Sequence, residues 1–366
     1  MNHIVGGSPA GCAVGDVNRD GKPDVAVANN STGRVSVLLG RGNGLFDQSV
    51  DFNVGTGSRI VHISDVSGDG RPDVLVCNTG TSNISVLIGN GAGGFAPSVN
   101  YATGAGCRCF AIADFNLDGR PDLVATNETA NTYSILMGNG NGTFQLAVNT
   151  AISGSPNFVA VGDLNRDGRP DLAIVRRGID SVGVLFGNGD GTFQPPFNVI
   201  VGDGPRSVAI GDLNRNGAPD LVTANEFDRT LSVVLGNGDG TFQPGTMLGT
   251  TTAPDAAIIG DLDGDDLPDL ATSTYFVSSV TIFRGDGSGT FATARTYQAG
   301  ALPTFVAIGD FNRDGRPDLV TATQAQQAAS VILNIGEGDP TADFNHDGGV
   351  DGDDVIDFFS LWDSGC

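Results

Sequence analysis

Short runs in which apolar residues alternate with small or polar ones recur along this 366-residue chain, separated by turns rich in glycine and aspartate. Within residues 205–250, the run Ser207–Gly211 shows the two-residue period that is typical of a β-strand. The runs Leu221–Ala224 and Leu231–Leu235 predict a second and a third strand, and Phe242 is expected to begin a fourth. Four short antiparallel strands joined by tight turns are typical of one β-propeller blade.

The predicted blade occurs seven times, with a spacing of 49 residues and no insertion. A fixed period of this length indicates a repeat architecture, in which each unit buries its apolar face only against its neighbours. We therefore predict an all-β fold: a seven-bladed propeller of four-stranded antiparallel blades at residues 1–336, followed by a calcium loop and a short helix at residues 340–366. A solenoid is the alternative, but it would need atypical capping repeats.

The two ends of the chain predict how the ring closes. The seventh unit has Pro340 where the other six have a phenylalanine, and its fourth strand is missing. Residues 2–9 instead align with residues 198–205, at an offset of four periods. We predict that Asn2–Val5 supplies the outer strand of the last blade, which leaves no open break in the ring.

An acidic nine-residue loop of pattern D-x-N-x-D-G-x-P-D joins the first two predicted strands of every unit. Oxygen ligands at alternate positions suit Ca²⁺, which takes six to eight oxygens at about 2.3–2.6 Å. We predict that positions 1, 3, 5 and 9 bind through side chains, the ninth in bidentate fashion, and position 7 through its carbonyl oxygen. The predicted ligands of loops one to four are Asp16, Asn18, Asp20, Lys22 and Asp24; Asp65, Ser67, Asp69, Arg71 and Asp73; Asp114, Asn116, Asp118, Arg120 and Asp122; and Asp163, Asn165, Asp167, Arg169 and Asp171. Those of loops five to seven are Asp212, Asn214, Asn216, Ala218 and Asp220; Asp261, Asp263, Asp265, Leu267 and Asp269; and Asp310, Asn312, Asp314, Arg316 and Asp318.

Three loops depart from the common pattern. Loop two has Ser67 at position 3, loop five has Asn216 at position 5, and loop six has Asp266 in place of the usual glycine. We expect loops two and five to bind Ca²⁺ most weakly, because each offers a weaker or uncharged oxygen. Acidic turns without metal are the alternative, which is disfavoured because clustered carboxylates repel one another unless they are neutralised.

The acidity of the chain is largely a property of these loops. Its formal net charge is −23, and 25 of its 42 acidic residues are predicted ligands of the propeller or of the tail. Eight Ca²⁺ ions, at two charges each, would bring the net charge to about −7. Such a balance argues against nucleic acid as a partner, because nucleic acid requires a basic face.

The sequence also carries an expectation of location. No apolar run approaches 18 residues, so no membrane span is predicted. No signal peptide opens the chain. Because weak calcium loops suit the millimolar calcium found outside cells, we expect an extracellular or cell-surface monomer whose signal has been removed or lies outside this chain.

The units resemble FG-GAP/VCBS repeats, the seven-bladed propeller type of the integrin alpha-subunit head and of many bacterial surface proteins. The matching segments are D-x-N-x-D-G-x-P-D, followed by an apolar strand, and then S-V-L-L-G-x-G-x-G-x-F. The resemblance extends from residue 1 to about residue 336 and implies an integrin alpha-like propeller that binds calcium. Propellers of this type serve adhesion, lectin and enzyme-associated roles, so the resemblance leaves the function open.

The tail carries a different calcium pattern. Residues 343–354 have the spacing of an EF-hand loop, with Gly348 at the sixth position, and a short helix at Val355–Trp362 is expected to follow. The segment resembles one half of a type I dockerin, which implies a cohesin-like partner; since dockerins carry two such loops, a calcium-stiffened tail or a sorting tag is the alternative. The predicted tail ligands are Asp343, Asn345, Asp347, the carbonyl of Gly349, Asp351 and Asp354.

The connections that vary from unit to unit are expected on the face opposite the metal loops, and variation on a regular scaffold is where specificity can reside. Three arginines at the starts of inner strands could receive a carboxylate or a sulfate near the axis. Balancing local acidity is the alternative role for them. The candidate ligand-binding residues are Arg59, Arg108, Asn157, Arg206 and Asp255, and Ala10 and Thr304 complete the ring.

Cysteines and phenylalanines predict packing rather than chemistry. Five cysteines are too few, and odd in number, for a disulfide framework, and packed or free thiols are favoured over a strained Cys107–Cys109 ring.

Six phenylalanines spaced by 49 residues are expected to pack between adjacent blades rather than to stack on a ligand. They are Phe46, Phe95, Phe144, Phe193, Phe242 and Phe291.

Three classes of function remain open. We predict a non-catalytic, calcium-binding scaffold for adhesion, with a protein or glycan ligand on the face opposite the calcium loops. A calcium-dependent lectin is the alternative, and a non-catalytic module of a polysaccharide-degrading system is a further one. An enzyme is not predicted, because none of His3, His62 and His346 is spaced to pair with a nucleophile and the recurrent carboxylates are committed to metal loops.

Overall fold

The protein is described by a computed structural model that covers residues 1–334. These residues form seven four-stranded antiparallel sheets, which are the blades of an all-β propeller. Six blades take their strands in chain order, whereas the seventh takes its fourth strand from the start of the chain. The predicted fold class is therefore confirmed, and the predicted tail lies outside the described residues.

The strands are numbered β1 to β28 along the chain. Strand β1 (Asn2–Ile4) precedes blade one, which comprises β2 (Pro9–Gly15), β3 (Asp24–Asn29), β4 (Arg34–Leu38) and β5 (Val50–Asn53). Blade two comprises β6 (Ser58–Ser64), β7 (Asp73–Asn78), β8 (Asn83–Leu87) and β9 (Val99–Ala102), and blade three comprises β10 (Cys107–Ala113), β11 (Asp122–Asn127), β12 (Thr132–Leu136) and β13 (Val148–Ala151). Blade four comprises β14 (Pro156–Gly162), β15 (Asp171–Arg176), β16 (Ser181–Leu185) and β17 (Phe197–Ile200), and blade five comprises β18 (Pro205–Gly211), β19 (Asp220–Asn225), β20 (Thr230–Val234) and β21 (Thr246–Gly249). Blade six comprises β22 (Pro254–Gly260), β23 (Asp269–Thr274), β24 (Ser279–Phe283) and β25 (Arg295–Gln298), and blade seven comprises β26 (Pro303–Gly309), β27 (Asp318–Thr323), β28 (Ala328–Ile332) and β1.

The ring closes through the first residues of the chain, as predicted. Strand β1 pairs antiparallel with β28, with Asn2 opposite Ser330 and Ile4 opposite Ala328. The Ser330 hydroxyl donates to Asn2 Oδ1 at 2.6 Å. This pairing covers what would otherwise be the exposed edge of blade seven.

The core lies between blades, because the second strand of each blade is buried on both of its faces. In β3, Val25 belongs to an apolar cluster with Val320 of blade seven, whereas its neighbour Ala26 belongs to a cluster with Val74 of blade two. Successive side chains point to opposite faces of a strand, so one strand packs against both neighbouring blades. A blade by itself would leave both of these faces exposed to water.

The sequence placed the start of the fourth strand too early. In blade five the strand begins at Thr246, and Phe242 instead makes an isolated bridge with Gly236 in the preceding turn. The backbone of Gly236 also lies close to that of Pro219, since a Cβ atom on Gly236 would be 2.1 Å from the carbonyl oxygen of Pro219. Pro244 follows and has no N–H to donate, so the ladder resumes only after it.

Phenylalanines of the repeated turn pack against the preceding blade, as predicted. The ring centroids of Phe46 and Phe311 are 5.6 Å apart across the boundary between blades one and seven. Those of Phe193 and Phe115 are 5.5 Å apart between blades four and three. Both pairs are edge-to-face, the arrangement that aromatic rings prefer.

One-turn 3₁₀ helices at Arg177–Ile179 and Tyr275–Val277 form the connection between the second and third strands of blades four and six. Within residues 1–334, no helix has both the length and the apolar character that crossing a membrane would require.

Candidate calcium loops and the arginine-lined cavity

Each acidic loop folds around the carboxylate at its first position. In loop one, Asp16 accepts hydrogen bonds from the backbone N–H groups of Asp20 at 3.0 Å and Gly21 at 2.8 Å. Asn18 also accepts from Asp20 N–H, and Asp20 accepts from Lys22 N–H, both at 3.0 Å. Short polar side chains that bond to nearby backbone in this way shape tight turns. Gly21 has a φ of 77°, as its position in the pattern requires.

Loop six brings three carboxylates together. One oxygen from each of Asp261, Asp263 and Asp265 lies within 4.8 Å of the others, which is the only such acidic group among residues 1–334. Burial, followed by the charge of Asp265, raises the pKa of Asp263. Asp266, which replaces the usual glycine, has a φ of 64°, a left-handed conformation that aspartate adopts more readily than most residues.

The ninth aspartate of each loop has a structural role that the sequence did not reveal. Asp24 is fully buried; its Oδ2 accepts from Val17 N–H at 2.9 Å, and its Oδ1 accepts from Gly40 N–H at 2.7 Å. It thereby ties the loop to the end of the third strand. The corresponding pair of bonds is made by Asp73, Asp122, Asp171, Asp220, Asp269 and Asp318.

These buried aspartates remain predicted ligands, because a carboxylate oxygen that accepts one hydrogen bond still has a second lone pair. Asp269 is not part of the three-carboxylate group of loop six. A signal for the structural role is present in the sequence: a glycine follows the ninth aspartate by 16 residues in six units, and Asn334 stands there in the seventh.

Burial also disfavours the ionised form of these aspartates and so raises their pKa. It raises the pKa of Asp24 to about 6, against the opposing hydrogen bonds from Gly40 and Val17. It raises the pKa of Asp318 to about 6 as well. The pKa shifts in the same direction, for the same first cause, at Asp73, Asp122, Asp171, Asp220 and Asp269.

The residue at the seventh position of each loop donates a backbone hydrogen bond within the loop, and in several units its side chain is basic. Each N–H at this position donates to the side chain at position 5, over 2.6–3.0 Å, from Lys22, Arg71, Arg120, Arg169, Ala218, Leu267 and Arg316. The Lys22 ammonium also pairs with the Asp20 carboxylate at 3.0 Å. Some of the negative charge of loop one is therefore balanced by protein.

The glycine turns lie on the same face of the propeller as the acidic loops. In blade three the turn between the third and fourth strands reaches the loop of the preceding blade, where Gly142 N–H donates to the carbonyl of Val66 at 3.0 Å. In blade four, Gly191 N–H likewise donates to the carbonyl of Phe115 in blade three, at 2.9 Å. The shape of one loop is thus coupled to the position of the next blade.

On the opposite face, a cavity of about 250 Å³ opens among the starts of the inner strands. We call it the axial cavity. The structure brings three of the predicted residues to it, namely Arg59, Arg206 and Asp255. Its other lining residues are Ala10, Glu226, Ala253, Pro254, Phe276, Thr304 and Gln324.

Arg108 and Asn157, the other two candidates, are not among the lining residues. The Arg108 guanidinium pairs with Glu128 at 3.5 Å. Asn157 is buried, and its side-chain amide nitrogen has no hydrogen-bond partner among the described residues.

Acidic partners of the arginines were missed at sequence level. Arg206 pairs with Glu226 at 3.1 Å and also with Asp255 of the next blade. Burial opposes the charge of Arg206, but Asp255 and Glu226 together outweigh it, so that the pKa of Arg206 lies above its usual value. A spacing of 20 residues relates Arg206 to Glu226 and Arg108 to Glu128, which is a signal that could have found these pairs.

The segments that match a known protein family recur along the chain with the repeat. Six successive, mostly overlapping segments match the FG-GAP-like repeat, at residues 16–76, 65–125, 114–174, 163–223, 212–272 and 273–321. The chain belongs to the FG-GAP-like repeat family. No curated protein sequence matches it.

Solved structures share the fold of this FG-GAP-like propeller. One is an Agrocybe aegerita lectin, described as recognising non-reducing terminal N-acetylglucosamine, with 22% identity and a TM-score of 0.57 over 77% of this chain and 78% of that one. Another is virginiamycin B lyase from Staphylococcus aureus, with 14% identity and a TM-score of 0.62 over 89% of this chain and 95% of that one. At such identities the likeness shows the fold alone.

Proposed function

We propose that this FG-GAP-like propeller is a non-catalytic binding scaffold of the extracellular space or cell surface, stabilised by about seven Ca²⁺ ions. The observation that carries the proposal is the acidic loop itself, whose backbone in each blade folds around the carboxylate of its first aspartate. A tight loop with oxygen atoms at alternate positions is the kind of site that Ca²⁺ takes.

Calcium is the ion that the donor set favours. Side-chain oxygens and a carbonyl are hard ligands, and the predicted loop ligands include no histidine or cysteine. The close approach of Asp261, Asp263 and Asp265 leaves repelling charges that a divalent cation would neutralise. Loops two and five, with Ser67 and Asn216, are proposed to be the weakest sites.

The number of ions tests this proposal directly. Native mass spectrometry and elemental analysis of the calcium-loaded protein are expected to find about seven Ca²⁺ per propeller, and Mg²⁺ at the same concentration should not replace them. Asp163→Asn should remove one ion, whereas Asp190→Asn should remove none. Asp190 is a suitable control because it lies in the glycine turn of the same blade, outside the loop, and bonds to Thr192. Retention of all ions by Asp163→Asn, or a metal-free protein, would exclude the proposal.

The face opposite the loops is proposed to bind the partner, a protein or a glycan. It carries the segments that differ most between units, and the described side chains on it include the exposed aromatic rings of Phe227 and Phe276. The Phe227 ring lies under the Arg177 guanidinium, with the central carbon 5.0 Å from the ring centroid. Exposed aromatic and arginine side chains are enriched where proteins bind their partners.

A calcium-dependent lectin is the second candidate. It is favoured by these two exposed phenylalanines, since flat rings stack on sugar rings, and the Agrocybe aegerita lectin shows that the same fold can recognise a sugar. A glycan array probed with and without EDTA separates the candidates. Glycans that bind only in calcium, and no longer bind the Phe276→Ala variant, would establish the lectin. An array on which no glycan binds, together with a protein partner that does bind, would establish the adhesion scaffold. A module of a polysaccharide-degrading system would instead bind polymer substrates.

A non-catalytic role is consistent with the environment of the two described histidines. His62 is bonded through Nε2 to the carbonyl of Phe110 at 3.1 Å, and burial lowers its pKa. His3 packs against the ring of Phe46, and burial lowers its pKa to about 4. Within residues 1–334, neither histidine makes a hydrogen bond to a hydroxyl or a thiol group. Substrate turnover that depends on either histidine would contradict this part of the proposal.

The tail is proposed to hold one further Ca²⁺ and to serve as a sorting tag or a site for a cohesin-like partner. A chain that ends at residue 336 should bind one ion fewer than the full chain and melt at the same temperature. An unchanged ion count would remove Asp343 and the other tail ligands from the proposal.

A further inference from the structure

Arg59 differs from the other arginines around the axis. It begins blade two within β6, and the accessible part of its otherwise enclosed side chain lines the axial cavity. Arg206, Arg108 and Arg177 each pair with a carboxylate. Among residues 1–334, the Arg59 guanidinium makes no ion pair and no hydrogen bond. None of its five N–H donors therefore has a protein partner within these residues.

The sequence explains why Arg59 has no carboxylate partner. Blades three and five place Glu128 and Glu226 twenty residues after their arginines, whereas blade two has Thr79 at that position. The Thr79 hydroxyl donates to the carbonyl of Cys107 at 2.7 Å and so is occupied elsewhere. Asp255 is close enough to influence Arg59 but is itself paired with Arg206.

The charged groups that line the axial cavity are equal in number. Two guanidinium groups, Arg59 and Arg206, face two carboxyl groups, Glu226 and Asp255. Both carboxyl groups pair with Arg206, so Arg59 is the charged group of this lining that has no direct partner among residues 1–334.

Arg59 keeps its charge despite this position. Burial lowers its pKa to about 10, and the neighbouring charge of Arg108 acts in the same direction. The group is thus ionised at neutral pH. A charge that is taken out of water and left without a counter-ion is expensive, and a bound anion would remove that cost.

We propose that the axial cavity binds a small organic monoanion whose carboxylate is held by Arg59. A guanidinium fork matches the two oxygens of a carboxylate and holds them by two parallel hydrogen bonds. The apolar body of the ligand lies against Pro254 and Phe276, which form part of the wall. A volume of about 250 Å³ fits a ligand of the size of one sugar or one aromatic ring.

This proposal rests on the binding role assigned to the face and gives the chemical class of one ligand. It is tested on the full calcium-loaded chain by titration calorimetry and ligand-observed NMR, with benzoate and D-glucuronate as probes. Benzamide and D-glucose are the uncharged counterparts. We expect at least one acid to bind and its uncharged counterpart to bind at least about tenfold more weakly, because the contact is a charge-assisted pair.

Variants of the protein then test whether the acid is held by Arg59. Arg59→Gln should weaken the bound acid at least about tenfold, and Arg59→Lys should weaken it less, because the charge is kept and the fork is lost. The matched control combines Arg108→Gln with Glu128→Gln, which removes one ion pair outside the cavity and leaves Arg59 in place. Its affinity should stay within about twofold of the parent.

Several results would overturn the proposal. They are binding of neither acid, equal binding of an acid and its uncharged counterpart, or unchanged affinity in a folded Arg59→Gln protein. If Arg59→Gln fails to fold, Arg59→Lys and Phe276→Ala decide the matter, since an acid that binds both as tightly as it binds the parent does not occupy this cavity. Loss of the acid with a retained glycan or protein partner would overturn only this inference and leave the proposed function standing.

Discussion

The Sγ atoms of Cys77 and Cys107 lie 2.7 Å apart across the boundary between blades two and three. Both thiols are free and fully buried, as are those of Cys12 and Cys109. Packed thiols were expected from the sequence, but the neighbour of Cys107 is Cys77 of another blade. Two side chains this close can be joined by loss of two protons and two electrons.

We predict that folding in an oxidising compartment, with a thiol–disulfide oxidoreductase or oxygen as the oxidant, joins Cys77 to Cys107. Burial raises the pKa of Cys77, so the native thiol is unreactive and the bond has to form before the blades close. The bond would span 30 residues and raise the free energy of unfolding by about 3–4 kcal/mol. Mass spectrometry of unreduced peptides should find the cross-link, and Cys77→Ser should abolish the gain. A full set of reactive thiols after denaturation would contradict the prediction.

The second prediction separates the structural role of the ninth aspartate from the metal-binding role that it shares with the first. Asp171→Ala leaves the N–H groups of Leu164 and Gly187 buried without an acceptor, which costs about 1–3 kcal/mol for each. The loss should therefore appear in EDTA as well as in calcium. Asp163→Ala should lower the melting temperature chiefly in calcium, because its hydrogen-bond donors are exposed and can bond to water instead. Equal losses in EDTA would refute the distinction.

The third prediction concerns pH. In EDTA, Asp24 and Asp318 have folded-state pKa values of about 6 against an ordinary value of 3.8. The folded state then binds more protons than the unfolded state, so these groups lower the free energy of unfolding as the pH rises from about 4 to about 6. Calcium needs the same carboxylates ionised. The gain in melting temperature from calcium should therefore shrink as the pH falls from 7 to 5, and a constant gain would count against these sites.

The fourth prediction concerns stability at Arg59. Arg59→Met removes an enclosed charge that has no ion-pair partner among the described residues, so the free energy of unfolding should rise by about 1–3 kcal/mol. Arg206→Met should have the opposite effect, because it leaves Asp255 and Glu226 without their partner. Denaturant unfolding of the two variants in the absence of ligand is the measurement. A destabilised Arg59→Met protein would mean that the guanidinium already has a counter-ion.

The fifth prediction tests ring closure. Deletion of residues 1–6 removes β1 and the buried Val5, and it exposes the edge of β28. The melting temperature should fall by many degrees, because blade seven loses its outer strand and the ring its closure. Ile4→Ala is the control, since this side chain is 76% exposed and its loss should change little. An unchanged melt of the shortened protein would show that β1 does not hold the ring.

Much of the fold could be predicted because its rules are local. The 49-residue spacing indicates the number of blades, the alternation of side chains indicates the strands, and the match of residues 2–9 to residues 198–205 indicates how the ring closes. The loop pattern also predicts the turn around Asp16, since these hydrogen bonds join residues at most five positions apart. Only the start of the fourth strand was misplaced, because the isolated bridge between Gly236 and Phe242 has no period of its own.

The sequence by itself therefore determined the blades, their order around the ring and the seven acidic loops, because each depends on contacts between residues that are near in sequence or separated by a fixed repeat. The tertiary structure decided which groups have partners. It placed Cys77 against Cys107 between blades two and three, and Asp255 with Arg206 rather than with Arg59. Those choices depend on distances of a few ångströms between blades that meet around one axis, and spacing along the chain does not specify them.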